Sequence, residues 1–130
     1  MSRPRRGVRL KREKPFDTHL DTKAGIKVRS KAERVTANFL FSNNIRFQYE
    51  PLILLGERKF RPDFYLPDYD LFLEICGYTH MPYYNDRSHS KEMVYKMHGL
   101  NAIFIHYTGR GSLRQILREE LANVGIEVVL

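Results

Sequence analysis

Apolar residues first recur at helical spacing between positions 30 and 43. Ala32, Val35, Phe39 and Leu40 fall on one helical face, and Ser30 with Glu33 three positions later forms a capping box at its start. Asn43 and Asn44 mark its end. The period then drops to two. Ile45, Phe47 and Tyr49 alternate with polar residues up to Pro51, a first strand that runs into a second over 52–55. Gly56 opens a turn through Glu57, Arg58 and Lys59. Segments 60–66 and 71–77 read as a hairpin whose bend is Pro67-Asp68-Tyr69-Asp70. Residues 78–86 read as a loop and 86–100 as a helix that packs Met93, Met97 and Leu100, with Gly99 near its C-terminal end. A short buried strand at 101–107, an amphipathic helix from Ser112 to Gly125 and a last strand at 126–130 complete the pattern. With the segment 45–55, broken at Pro51, counted once, the order α-β-β-β-α-β-α-β predicts an α/β fold, a mixed β-sheet flanked by helices.

One feature breaks the apolar logic. Glu74 lies on a strand otherwise made of Leu71, Phe72, Leu73, Ile75 and Cys76, and an ionised carboxylate there is costly unless paired or bound to metal. Strand alternation groups Phe72, Glu74 and Cys76 on one face and Leu71, Leu73 and Ile75 on the other. Asp63 sits eleven positions earlier, after Pro62, where it would also serve simply to cap a bend. Two hard oxygen donors suit Mg²⁺ or Mn²⁺, completed by water and substrate phosphate.

Charge adds a partner to this picture. The chain of 130 residues carries a formal +7, and its hydrophobic share of 42% suits one folded domain. Residues 1–15 hold Arg3, Arg5, Arg6, Arg9, Lys11, Arg12 and Lys14 against Glu13 alone, so the excess lies in an arm. Such an arm binds polyphosphate by releasing counterions, with little sequence preference. Residues 1–25 are accordingly expected as a basic, mobile arm and linker, and 26–130 as the domain. One cysteine allows no internal disulfide and points to a reducing, intracellular and cytoplasmic setting. No apolar run is long enough to span a membrane, and no secretory signal is evident. His80, His89, His98 and His106 show no paired helical spacing for zinc, and no Gly-rich phosphate loop is present.

Taken in order, "SKAERVTANFLFSNNIRFQYEP", "RPDFYL", "FLEICGY" and the Tyr84, Lys91, Tyr95 series resemble the PD-(D/E)XK nuclease superfamily. The nearest flavour is the nuclease domain attached to helicases of the UvrD and DNA helicase IV kind. The likeness covers residues 29–108. It implies a restriction-endonuclease-like core and a Mg²⁺-dependent deoxyribonuclease. By the resemblance, Asp63, Glu74 and the Ile75 main-chain carbonyl are metal ligands and Glu33 is an additional one. Glu50 is left as a turn residue or supporting partner. The lysine of the motif falls on Cys76, which cannot replace it, and the resemblance places its role on Lys91 of the following helix. Lys91, Tyr95 and His98 share one helical face. Arg61, Tyr83, Tyr84 and Arg87 are expected contacts to nucleic acid, DNA first with RNA not excluded. With no motor domain in the sequence, targeting is expected to fall to the domain itself, to a homodimer or to a partner protein. The rival reading is a nucleic-acid-binding module that keeps the fold without catalysis.

Deleting residues 1–15 is expected to weaken DNA binding and to flatten the slope of log affinity against log salt. A titration at several salt concentrations measures both.

Overall fold

The computed structural model describes residues 19–76 and 82–129, without the side chains of 82–89. Two short strands, β1 (Leu20–Asp21) and β2 (Lys27–Val28), pair antiparallel. This hairpin starts inside the stretch expected as linker. Thr22 closes it, its hydroxyl donating to the Ile26 carbonyl at 2.7 Å.

Helix α1 (Lys31–Ser42) starts where the capping box places it, with the Ser30 hydroxyl accepting from the Glu33 N–H at 3.1 Å. It ends in a Schellman motif. Asn44 takes a positive φ of 58°, its N–H reaches the Phe41 carbonyl, and the Ile45 N–H reaches Leu40. That closure draws Ile45 back onto the helix, which explains why β3 is only Gln48–Tyr49 rather than the longer strand expected from position 45. Strands β4 (Ile53–Leu55) and β5 (Arg58–Phe60) form a separate two-stranded ribbon. Its turn places Gly56 at φ 64°, a conformation suited to glycine.

The expected strand at 60–66 is divided. Pro62 has no N–H for a ladder, so β5 ends at Phe60 and β6 (Phe64–Leu66) starts anew on the main sheet. Strand β7 (Leu71–Cys76) pairs antiparallel with β6 and parallel with β8 (Ala102–His106), with helix α2 (Pro82–Met97) between them. The four strands lie in the order β3-β6-β7-β8. Helix α2 begins four positions before the expected start, with Pro82 at its first position, where a missing N–H is harmless. Helix α3 (Leu113–Asn123) is capped by Ser112. Residues 126–129 form no strand. Ile126 is buried and Val128 packs on the core without a ladder partner.

The protein is therefore mixed α/β, a mixed sheet with three helices. One face of the sheet offers Phe64, Leu66, Leu71, Leu73, Ile103 and Ile105 to α1 and α3, which bury Phe39, Leu40, Leu117 and Leu121 against it. The opposite face meets α2 through Tyr95, whose ring lies 5.5 Å from Phe72 and 5.6 Å from Phe104. Met93 and Met97 do not pack as expected; they are 54% and 78% exposed, because α2 turns its Tyr95 side inward. No described helix is long and apolar enough to cross a membrane.

Leu117, fully enclosed between α1 and the sheet, sets a stability test. Leu117→Ala is expected to cost about 3 kcal/mol in urea unfolding. Met97→Ala should stay within about 0.5 kcal/mol.

Candidate active site

The site follows from strand register. Tyr49 stands opposite Phe64 and Phe64 opposite Leu73. One position further, the same pairings set Glu50 opposite Asp63 and Asp63 opposite Glu74. The first continues as a backbone bond, the Glu50 N–H donating to the Asp63 carbonyl at 2.9 Å. The second changes character. The Ile75 N–H donates 2.7 Å to the Asp63 side chain at Oδ2, so a carboxylate takes the place of a strand carbonyl. Three acids thus end in a row across β3, β6 and β7.

Glu33 joins them from the first turn of α1. Its Oε1 accepts from the Tyr49 hydroxyl at 2.7 Å and from the Arg29 N–H at 2.9 Å. The reciprocal half of the capping box therefore goes to Arg29 rather than Ser30. The Arg29 guanidinium pairs with Glu50 Oε2, and Arg61 Nη1 donates 3.0 Å to the Glu50 carbonyl. Glu50 has a φ of 49°, a strained conformation for a residue with a side chain. One carboxylate oxygen each from Glu33, Glu50 and Asp63 all lie within 4.8 Å of one another. Each of these acids also has one oxygen without a hydrogen bond among the described residues.

Glu74 is used differently. It is 2% exposed, and both its oxygens are occupied. Lys91 Nζ lies 2.8 Å from Oε1 and the Tyr95 hydroxyl donates to Oε2 at 2.5 Å. The Phe60 ring covers this pair. Lys91 Nζ sits 5.8 Å from its centroid, and Tyr95 meets it edge-on at 5.3 Å. Burial, then the Glu74 charge, pushes the Tyr95 hydroxyl upward, so it stays a donor at neutral pH. Tyr49 is raised by burial and then by its bond to Glu33. Asp63 is pushed up to about 7, first by burial and next by the Glu74 charge, with the Ile75 N–H and Lys91 pulling the other way.

The structure therefore brings Glu33, Asp63, Glu74 and Lys91 to one end of the sheet, but divides them differently from the expected ligand set. Glu50 completes the carboxylate group, and Glu74 stands outside it as the anchor of Lys91. Ile75 contributes its N–H to Asp63, and its carbonyl leaves β7 on that same edge. Cys76 is buried, with Sγ 3.9 Å from the Glu74 carbonyl. Arg61 is at the rim. Arg3, Arg5, Arg6, Arg9, Lys11 and Arg12 lie outside the described residues, as do the side chains of Tyr83, Tyr84 and Arg87. Arg29 escaped the sequence reading, and Glu50 was read as a turn residue or supporting partner rather than as a member of the carboxylate group. The signal for Glu50 was its equal offset with Asp63 from the β3–β6 pairing, visible only once that pairing is known.

Glu33, Glu50 and Asp63 thus form an acidic group whose oxygens could hold a metal ion.

The Asp63 shift has a signed consequence for stability. Folding raises its pKa from 3.8 to about 7, so the folded chain retains a proton that the unfolded chain has released across that window. Stability from this group is full below about pH 4 and falls as pH rises to about 7. Asn keeps the bond to Ile75 without the charge. Metal-free Asp63→Asn is expected to melt about 5 °C above wild type at pH 8 and level with it at pH 4. Equal melting curves at both pH values would contradict the shift.

No protein-family model, curated protein or solved structure matches the chain, so its functional reading rests on the residues described above.

Proposed function

We propose that this protein is a metal-dependent deoxyribonuclease of the PD-(D/E)XK type, on a restriction-endonuclease-like arrangement of its sheet. The observation that carries the reading is the convergence of the ion pair between half-buried Lys91 and buried Glu74 with the three-carboxylate group of Glu33, Glu50 and Asp63. Those three carboxylates would hold Mg²⁺ or Mn²⁺. When bound, the metal supplies a Lewis acid that polarises a phosphoryl oxygen and lowers the pKa of water.

The chain's own residues account for the rest. Glu74 and Phe60 keep the Lys91 ammonium in place, where it offsets charge developing on a phosphate oxygen and directs the lone pair of an attacking water. Tyr95 holds the second Glu74 oxygen and keeps that carboxylate from turning away from Lys91. Arg29 tempers the repulsion among the acids and prevents Glu50 from swinging out. Arg61 stands beside Glu50 as a phosphate contact. Cys76 has no role in the chemistry, which agrees with its burial.

The non-catalytic binding module remains the rival reading, favoured by the full occupancy of Glu74 and by Cys76 in the motif's lysine position. Cleavage of supercoiled, single-stranded and branched DNA with Mg²⁺, Mn²⁺ or EDTA separates the two. Cleavage is expected with either metal and not with EDTA. Asp63→Asn and Glu33→Gln should each lose at least about 100-fold in rate, equivalent to about 2.7 kcal/mol of barrier, while DNA binding persists. Lys91→Gln should lose as much and also melt lower, because it leaves a buried carboxylate without its ion pair. Cys76→Ala should cut at close to the wild-type rate. A wild-type protein that binds DNA yet cuts nothing with any metal is the binding module instead.

A further inference from the structure

The β4–β5 ribbon belongs to neither the main sheet nor the carboxylate group, and its two faces differ. The inner face carries Ile53 and Phe60, a cross-strand pair, and Phe60 anchors it on Tyr95. On the outer face Leu54 stands opposite Lys59. Leu52 and Arg61, each two positions along their segments, continue that face by alternation. Leu52 and Leu54 are 49% and 66% exposed, Lys59 and Arg61 are exposed, and Lys59 has no ion pair among the described residues. The face is thus two aliphatic side chains bordered by two cations. It runs directly into the acidic site, since Arg61 donates to the Glu50 carbonyl.

We infer that this outer face holds an unpaired nucleic-acid strand beside the site, which rests on the nucleic-acid reading above. The cations suit phosphates, and the exposed leucines beside them offer apolar surface on which base faces can pack. A duplex hides its base faces in the stack, whereas an unpaired strand presents them. Charge complementarity and continuity with the site together favour this occupant. The substrate class is nucleic acid with a single-stranded segment at the point of cutting.

The test measures binding of the full chain in EDTA, by fluorescence anisotropy, to a labelled single strand and to its blunt duplex. The double substitution Leu52→Ser and Leu54→Ser removes no charge. It is expected to weaken single-strand binding about tenfold, with duplex affinity and the salt slope unchanged. Lys59→Gln is expected to lower that slope by about 1. Undiminished single-strand binding by the double variant, or an equal loss on duplex, overturns the inference. If the double variant fails to fold, Lys59→Gln with wild-type affinity and slope overturns it independently. A wild-type dimer in sedimentation that the leucine substitutions dissociate assigns the face to a second copy and also overturns it. A wild-type chain that binds neither oligonucleotide refutes the nucleic-acid reading itself.

Discussion

The open end of the sheet is organised around a carboxylate held almost out of water. Glu74 lies on the strand between β6 and β8, and an uncompensated charge there would cost several kcal/mol. Its two oxygens must both be satisfied from the same side, and α2 does this with Lys91 and Tyr95, one turn apart. That requirement fixes the rotation of the helix. It puts the Tyr95 ring among Phe60, Phe72 and Phe104, and leaves Met93 and Met97 facing solvent. The same requirement draws the β4–β5 ribbon inward, because Phe60 closes the fourth side of the pair.

A paired Glu74 still carries negative charge next to Asp63. Burial first, and then Glu74 and Glu33, hold the Asp63 proton to about pH 7, while the Ile75 amide favours its loss. Glu33 and Glu50 are managed separately, through Tyr49 and Arg29. The result is two subsites of opposite character at one strand end. One is a closed ion pair that keeps an ammonium fixed, and the other is an open group of carboxylates with unused oxygens. Hydrolysis of a phosphodiester uses both kinds, a positive group near the phosphate and hard anions for a divalent cation.

Local chemistry made some of this visible in the sequence. The Ser30–Glu33 cap located α1 because the signal spans a single turn, and Lys91 with Tyr95 was legible as one helical face. Relations across strands were not. Pro62 was a local sign that 60–66 divides, but nothing local says that Phe60 pairs with Ile53 and Phe64 with Leu73. Glu50 looked like a turn residue for the same reason. On α2 the usual sign of burial was reversed, since a buried acid attracted the Lys and Tyr side and left the methionines out. The segment 126–130 suggested a last strand, but apolar residues also pack without pairing, as Ile126 does.

Asp63 divides its two oxygens between different tasks. One oxygen completes the edge of β7 by receiving the Ile75 amide, and the other has no hydrogen bond among the described residues. The sheet therefore does not fray where β6 ends; it is finished by a side chain. A main-chain carbonyl in that position would have continued the ladder. A carboxylate terminates the strand pairing and leaves a second oxygen unbonded at the point of termination.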